Sequence, residues 1–255
     1  MPNRPVAATL AALLLSGFLG AAAAADAHPP HWTYGGATGP AHWGGLEPEF
    51  GACGLGHAQS PIDIRSADAQ KAELPAIEFA YKPSPLTVLD NGHTLKVLPA
   101  PGSSITVDGH RYELVEFHFH KPSEESIDGK RHDMVAHLVH RDADGKLAVV
   151  AVLLDAGALN TMVAAVWNNW PARKDAETEV ADVQVNVADL LPADHGYYTF
   201  AGSLTTPPCS EGVTWFVLRQ PSTLSEGEIA RFGSVYPMNA RPLQPLHDRV
   251  VRASP

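Results

Sequence analysis

Residues Leu114 to Glu124, LVEFHFHKPSE, concentrate groups that ligate metals or move protons. Side chains alternate faces along an extended strand. That places Leu114, Glu116, His118 and His120 on one face and Val115, Phe117 and Phe119 on the other. The phenylalanine face suits a core, so the histidine face must open toward a polar cavity or solvent. A second stretch, MVAHLVH, supplies His137 and His140. Their odd separation puts them on opposite faces, so only one can join the first pair without a bulge, and parity does not select between them. For the first pair alone, an exposed strand face is the competing reading. Three imidazoles from two adjacent strands, with a fourth position open, make a catalytic zinc geometry with Zn–N distances of about 2.0 Å. Three neutral ligands leave the ion's full charge to act on water.

The elements that must hold these groups are short strands. AIEFAY (Ala76 to Tyr81) and LTVLD (Leu86 to Asp90) alternate, the Asn91-Gly92 pair is a turn signal, and HTLKVLP resumes the alternation. The spacing predicts two strands over Ser104 to His120 with a turn at Asp108-Gly109, two more over His132 to Asp155 with a turn at Asp142 to Gly145, and a central strand over Val213 to Pro221. Helical signals are few. Leu159, Met162, Val163, Val166, Trp167 and Trp170 share one helical face, stopped by Pro171, and Ser225 with Glu228 forms a capping-box pattern. His28 to Phe50, rich in Gly, Pro and aromatics, reads as an ordered coil lying on the domain. The fold class expected is mainly β with a few short helices, a single domain around a large, mostly antiparallel central sheet.

Arg4 followed by the Ala- and Leu-rich run ending near Ala25 reads as a secretory signal peptide, residues 1–25, rather than a stable membrane anchor. Residues 26–255 are then the working domain, in the periplasm or secreted. The chain carries 18 basic against 28 acidic residues, and removing the leader deletes one basic residue and no acid. This balance argues against a nucleic-acid partner, which wants a basic surface. Only two cysteines are present, Cys53 and Cys209. An oxidising compartment favours a disulfide between them, although two free thiols would give the same count.

The segments QSPIDI (Gln59 to Ile64), NGH (Asn91 to His93), EFHFH, PSE, AHLVH, SLTTPP (Ser203 to Pro208) and VTW, in this order, resemble those of alpha-class carbonic anhydrases of the bacterial, exported kind. The likeness runs from His31 to Arg249. It implies reversible hydration of carbon dioxide to bicarbonate and a proton, by hydroxide on a Zn2+ ion held by His118, His120 and His137. The water pKa of about 7 associated with such a site is one for which carbonic anhydrases are themselves the reference case. By the same resemblance, Thr205 accepts a hydrogen bond from the hydroxide and donates to Glu124, and His93 is the proton shuttle. Tyr34 and Asn91 would order the water chain. Val139, Val149, Leu204, Val213 and Trp215 would wall the substrate pocket, Thr206 would steer bicarbonate, and Cys53 and Cys209 would be bridged. A homodimer is compatible with the family, without any interface signal in this chain.

Two departures stand out against the family pattern. Val135 lies two residues before the third histidine, where the family usually has a glutamate that holds the ligand's other ring nitrogen. Its loss would leave His137 to water or another acceptor and weaken zinc binding. Glu116 stands where animal forms usually carry glutamine and is expected to contact His118. Lys96, on the His93 side, is expected to perturb the shuttle.

Overall fold

A computed structural model describes Met1 and residues 31–255, so the leader read at 1–25 and the first residues of the coil from His28 lie outside the described residues. Ten strands follow one hydrogen-bonded path: Ala176–Val185, Ser84–Asp90, Leu95–Val97, His110–His120, Met134–Arg141, Leu147–Ala156, Glu211–Leu218, Tyr197–Ser203, Arg252–Ala253 and Gln70–Lys71. Ser222–Leu224, Glu78–Ala80 and Ser104–Val107 join off this path, making thirteen strands in one sheet among the described residues. The pairing is mostly antiparallel, as expected, but the sheet is mixed. Leu147–Ala156 runs parallel to both Glu211–Leu218 and Ser222–Leu224, and Arg252–Ala253 runs parallel to Gln70–Lys71. The strand containing Val213 to Trp215 is indeed internal, flanked on both sides.

Both faces of the sheet centre are covered, which is why Met134–Arg141 and Leu147–Ala156 read as nearly continuous apolar runs. On one face Phe117, Phe119, Leu138 and Val150 pack beneath the helices Thr161–Asn168 and Glu226–Val235. The first helix starts after Asn160, whose side chain accepts from the Val163 N–H, and the second carries the Ser225–Glu228 capping box. Trp167 Nε1 donates to the Glu228 carbonyl at 3.1 Å and ties the two together. Leu159 falls before the first helix and is exposed. The other face carries a second apolar cluster with Ile62, Val149, Val213 and Trp215, and beside it the histidines.

Two expectations need correction. Strict alternation put Leu114 on the Glu116 face. The register between the two histidine strands shifts, Val139 opposing Glu116 while His140 opposes Leu114. Val115 is the extra residue of a β-bulge, which turns Leu114 into the core with Phe117 and Phe119 and leaves Val115 exposed. Two long strands, besides several of two or three residues, also went unread. Ala176–Val185 is an acidic, half-exposed edge, and Tyr197–Ser203 is buried over most of its length and so does not alternate. The N-terminal coil, by contrast, lies ordered on the domain, with Trp43 fully buried among Trp32, Tyr34 and the two cysteines.

Candidate active site

Antiparallel pairing places His137 directly opposite His118, and Val135 opposite His120. His118, His120 and His137 therefore share one face, while His140 points into the opposite core and shares a 2.9 Å hydrogen bond with Tyr81 Oη. One ring nitrogen from each of the three lies within 4.8 Å of the other two. The remaining nitrogens face outward to fixed partners. His118 Nδ1 is 2.9 Å from Glu116 Oε1, His120 Nδ1 is 2.7 Å from the Asn239 carbonyl oxygen, and His137 Nε2 is 3.2 Å from Glu125 Oε2. These contacts leave His118 Nε2, His120 Nε2 and His137 Nδ1 for the centre. His120 Nε2 is buried without a hydrogen-bond partner.

The donor set fits a zinc ion. Burial holds the pKa of His118 and His120 below the ordinary value, keeping their lone pairs available. Burial also pulls His137 down, but Glu125, Glu124 and Glu116 outweigh it and raise its pKa, a field that favours any cation at the centre. Burial pushes Glu116 up, yet His118 and Lys96 prevail and keep it ionised. Lys96, the register partner of His118, stands 3.8 Å from Glu116 Oε2 and so is aimed at the ligand's support.

Glu124 is fully buried, and burial, with Glu125 beside it, raises its pKa to about 7. Its Oε1 accepts from the Arg241 backbone N–H at 2.7 Å. Its Oε2 lies 3.5 Å from His120 Nε2 and 3.9 Å from His137 Nδ1. Thr205, also buried, is near enough to lower the Glu124 pKa, but Oε2 lacks a partner in full hydrogen-bond geometry. Val139, Val149 and Trp215 lie side by side through consecutive registers, and Val213 and Leu204 join the same cluster. The Trp215 ring is 4.9 Å from that of His137, so this apolar wall abuts the histidines. Thr206 accepts from the Cys209 backbone N–H through its carbonyl at 2.8 Å.

His93 leaves the Asn91-Gly92 turn. Asn91 Oδ1 accepts from the backbone N–H groups of His93 and Thr94 at 3.0 and 2.8 Å, so its side chain shapes that turn. His93 is stacked on Trp32 and His31, with Tyr34 edge-on, at a cleft of about 530 Å³ also lined by Lys174, Asp175 and Tyr236. Tyr34 Oη is buried and unpartnered, and burial raises its pKa well above the ordinary value.

Cys53 and Cys209 form a disulfide across 156 residues. Arg241 is buried beneath it. Its guanidinium donates to the Cys53 and Ser60 carbonyls and to Gln59 Oε1.

The sequence reading missed Glu125, Asn239 and Arg241. Asn239 holds His120 by its carbonyl, and its side-chain amide donates to the His93 and Phe119 carbonyls at 3.1 and 3.0 Å. Glu125 did leave a signal, a second acid beside Glu124 in a chain whose third histidine lacks an acid on its own strand.

The family model "Eukaryotic-type carbonic anhydrase" matches residues 38–255. A carbonic anhydrase of Nostoc sp. is 41% identical over 230 residues, covering 89% of this chain and 87% of that protein. One of Pectobacterium carotovorum is 43% identical over 222 residues, covering 87% and 90%. The solved structure of the alpha-carbonic anhydrase of Thermovibrio ammonificans, a complex with sulfanilamide, superposes with a TM-score of 0.84 at 42% identity, covering 87% of this chain and 98% of that one. Strand order, three converging imidazoles and these likenesses agree: the chain belongs to the eukaryotic-type, or alpha, carbonic anhydrase family of enzymes.

Proposed function

We propose that residues 26–255 form an exported catalytic domain that interconverts carbon dioxide and bicarbonate at a zinc ion held by His118, His120 and His137. The observation that carries this reading is the fixed outward engagement of one nitrogen on each imidazole, which leaves three nitrogens facing one space beside an apolar wall. Zinc there supplies Lewis acidity that brings water ionisation near neutral pH, the property for which carbonic anhydrases are the reference case.

The residues divide the remaining work. Arg241 fixes Glu124 by one oxygen, and the other is left for Thr205. A Thr205 hydroxyl that donates to Glu124 has only lone pairs to offer the attacking oxygen, and so orients it toward carbon. Carbon dioxide has neither charge nor dipole, so Val139, Val149, Leu204, Val213 and Trp215 hold it by excluding water. Thr206 sits at the turn where the anionic product leaves. His93 passes the proton outward, with Tyr34 and Asn91 at the path between. Export follows from the leader at residues 1–25 and agrees with the disulfide. No helix among the described residues is long and apolar enough to cross a membrane.

The test is stopped-flow hydration by the purified protein, before and after chelation and with zinc restored. Hydration lost on chelation and regained with zinc is the expected result. A His118→Ala variant that hydrates carbon dioxide at the full rate would overturn the assignment.

A further inference from the structure

We propose that Glu125, reaching in from the turn after the His118 strand, is the positioning residue for His137, taking over the task that its own strand leaves to Val135. The inference rests on the zinc reading above. The chain contains its own pattern for supporting a histidine: Glu116, two residues before His118, shares its face and contacts Nδ1 at 2.9 Å. The matching position before His137 is Val135, which offers no acceptor. It is fully buried in the apolar cluster with Ile62, Ile64 and Leu153.

His137 Nε2 is nevertheless not orphaned. Glu125 Oε2 lies 3.2 Å away, with the two side chains 1% and 0% exposed. A buried ring N–H left without a partner is destabilising, because it loses its bond to water and gains none in return. The acid is also held from behind. Ser126 pairs in parallel with Asp63, its N–H donates to the Ile62 carbonyl at 3.3 Å, and its hydroxyl donates to Asp63 Oδ1 at 2.6 Å. Ser123 Oγ donates to the Glu125 carbonyl at 2.7 Å. The small sheet built by Asp63–Ile64 thus sets where the Glu125 carboxylate can stand.

The consequence is a choice of ligand atom. Donation from Nε2 to Glu125 fixes the tautomer of His137 and leaves Nδ1 for the metal, whereas His118 and His120 are held at Nδ1 and present Nε2. Adjacent acids on one turn then serve different ends, Glu125 a ligand and Glu124 the Thr205 side. The carboxylate missing at Val135 has been relocated, which removes the reason to expect weak zinc binding.

The experiment measures zinc affinity by competition with a chromophoric chelator, the zinc dissociation rate, and the His137 imidazole N–H signals by NMR, for the wild type, Glu125→Gln and Glu125→Ala. Glu125→Ala is expected to bind zinc about 10–100-fold more weakly and release it faster, with Glu125→Gln toward the lower end. The His137 Nε2–H resonance should move upfield or vanish in both. If Glu125→Ala does not fold, the near-isosteric Gln variant decides. Variants with wild-type affinity, release rate and Nε2–H signal overturn this inference alone. A wild-type chain that takes up no zinc overturns both it and the proposed function.

Discussion

Trp32 lies flat against His93, with ring centroids 3.5 Å apart and planes 8° from parallel. His31 stacks on the same imidazole at 4.6 Å, and the His93 Nε2 is buried without a partner. Burial, then the neighbouring His31, lowers the His93 pKa to about 4, against an opposing pull from Asp175. A proton released near pH 7 climbs to such an acceptor at a cost of about 1.4 kcal/mol per pH unit. Trp32→Ala removes the cover, and with it part of the largest cause of the shift. The His93 pKa should rise toward 6.5, its ordinary value, and turnover at low buffer concentration should increase. NMR titration of the imidazole checks the first effect and stopped-flow the second. An imidazole still titrating near 4 in Trp32→Ala would show that stacking is not what depresses it.

The apolar wall predicts a separation of metal binding from turnover. Val139 is half-buried, sits in register with both Glu116 and Val149, and has no side-chain atom that could ligate a metal or accept from a histidine. Val139→Phe puts a larger ring where the substrate must lie. It should lower kcat/KM by about tenfold or more, because small displacements of reacting groups cost that much. Zinc affinity should stay within about twofold. Equal losses in both would place Val139 in support of the metal rather than of the substrate.

His140 makes stability depend on pH. It is fully buried, hydrogen-bonded through Nε2 to Tyr81 Oη, and burial lowers its pKa from 6.5 to about 4. Between those values the unfolded chain binds a proton that the folded chain refuses. Its contribution is complete above pH 6.5, falls as the pH drops through the window, and is lost in full below about 4. Urea unfolding followed over this range should show stability falling with acidification, and His140→Gln should flatten the slope by up to about 1.4 kcal/mol per pH unit. His93 acts in the same direction, so some slope should remain in the variant. Parallel curves for wild type and variant would remove His140 from the account.

Much of this site was legible because strand periodicity is local. Alternation put His118 and His120 together, and the odd spacing of His137 and His140 limited the third ligand to one of two. What periodicity cannot see is a bulge, and Val115 turned Leu114 to the other face. Nor can it see partners from distant segments. Glu125 meets His137 from a turn whose next two residues, Ser126 and Ile127, pair with the distant Asp63–Ile64, and Asn239 reaches His120 across 119 residues. Edge strand Ala176–Val185 was missed for another reason: its acids break the apolar pattern on which the reading depended.

The disulfide offers a prediction about what holds the Thr205 loop. Cys53 and Cys209 close 156 residues of chain, and removing a native bridge of this kind typically costs about 2–5 kcal/mol. Cys53→Ala/Cys209→Ala should unfold at correspondingly lower denaturant. The loop itself has other supports. Leu204 N–H donates to the Ser210 carbonyl at 3.0 Å, Cys209 N–H to the Thr206 carbonyl at 2.8 Å, and Gln59 Nε2 to the Cys209 carbonyl at 3.0 Å. Glu124 keeps its Arg241 N–H at 2.7 Å in any case. Below its melting temperature the double variant should therefore hydrate carbon dioxide within about threefold of wild type, since these three hydrogen bonds, of about 1 kcal/mol each, oppose displacement of the loop. Comparing hydration rates with denaturation curves separates the two roles. A tenfold or greater loss of rate while the variant is still folded would mean that the bridge positions Thr205, rather than acting mainly on the unfolded chain.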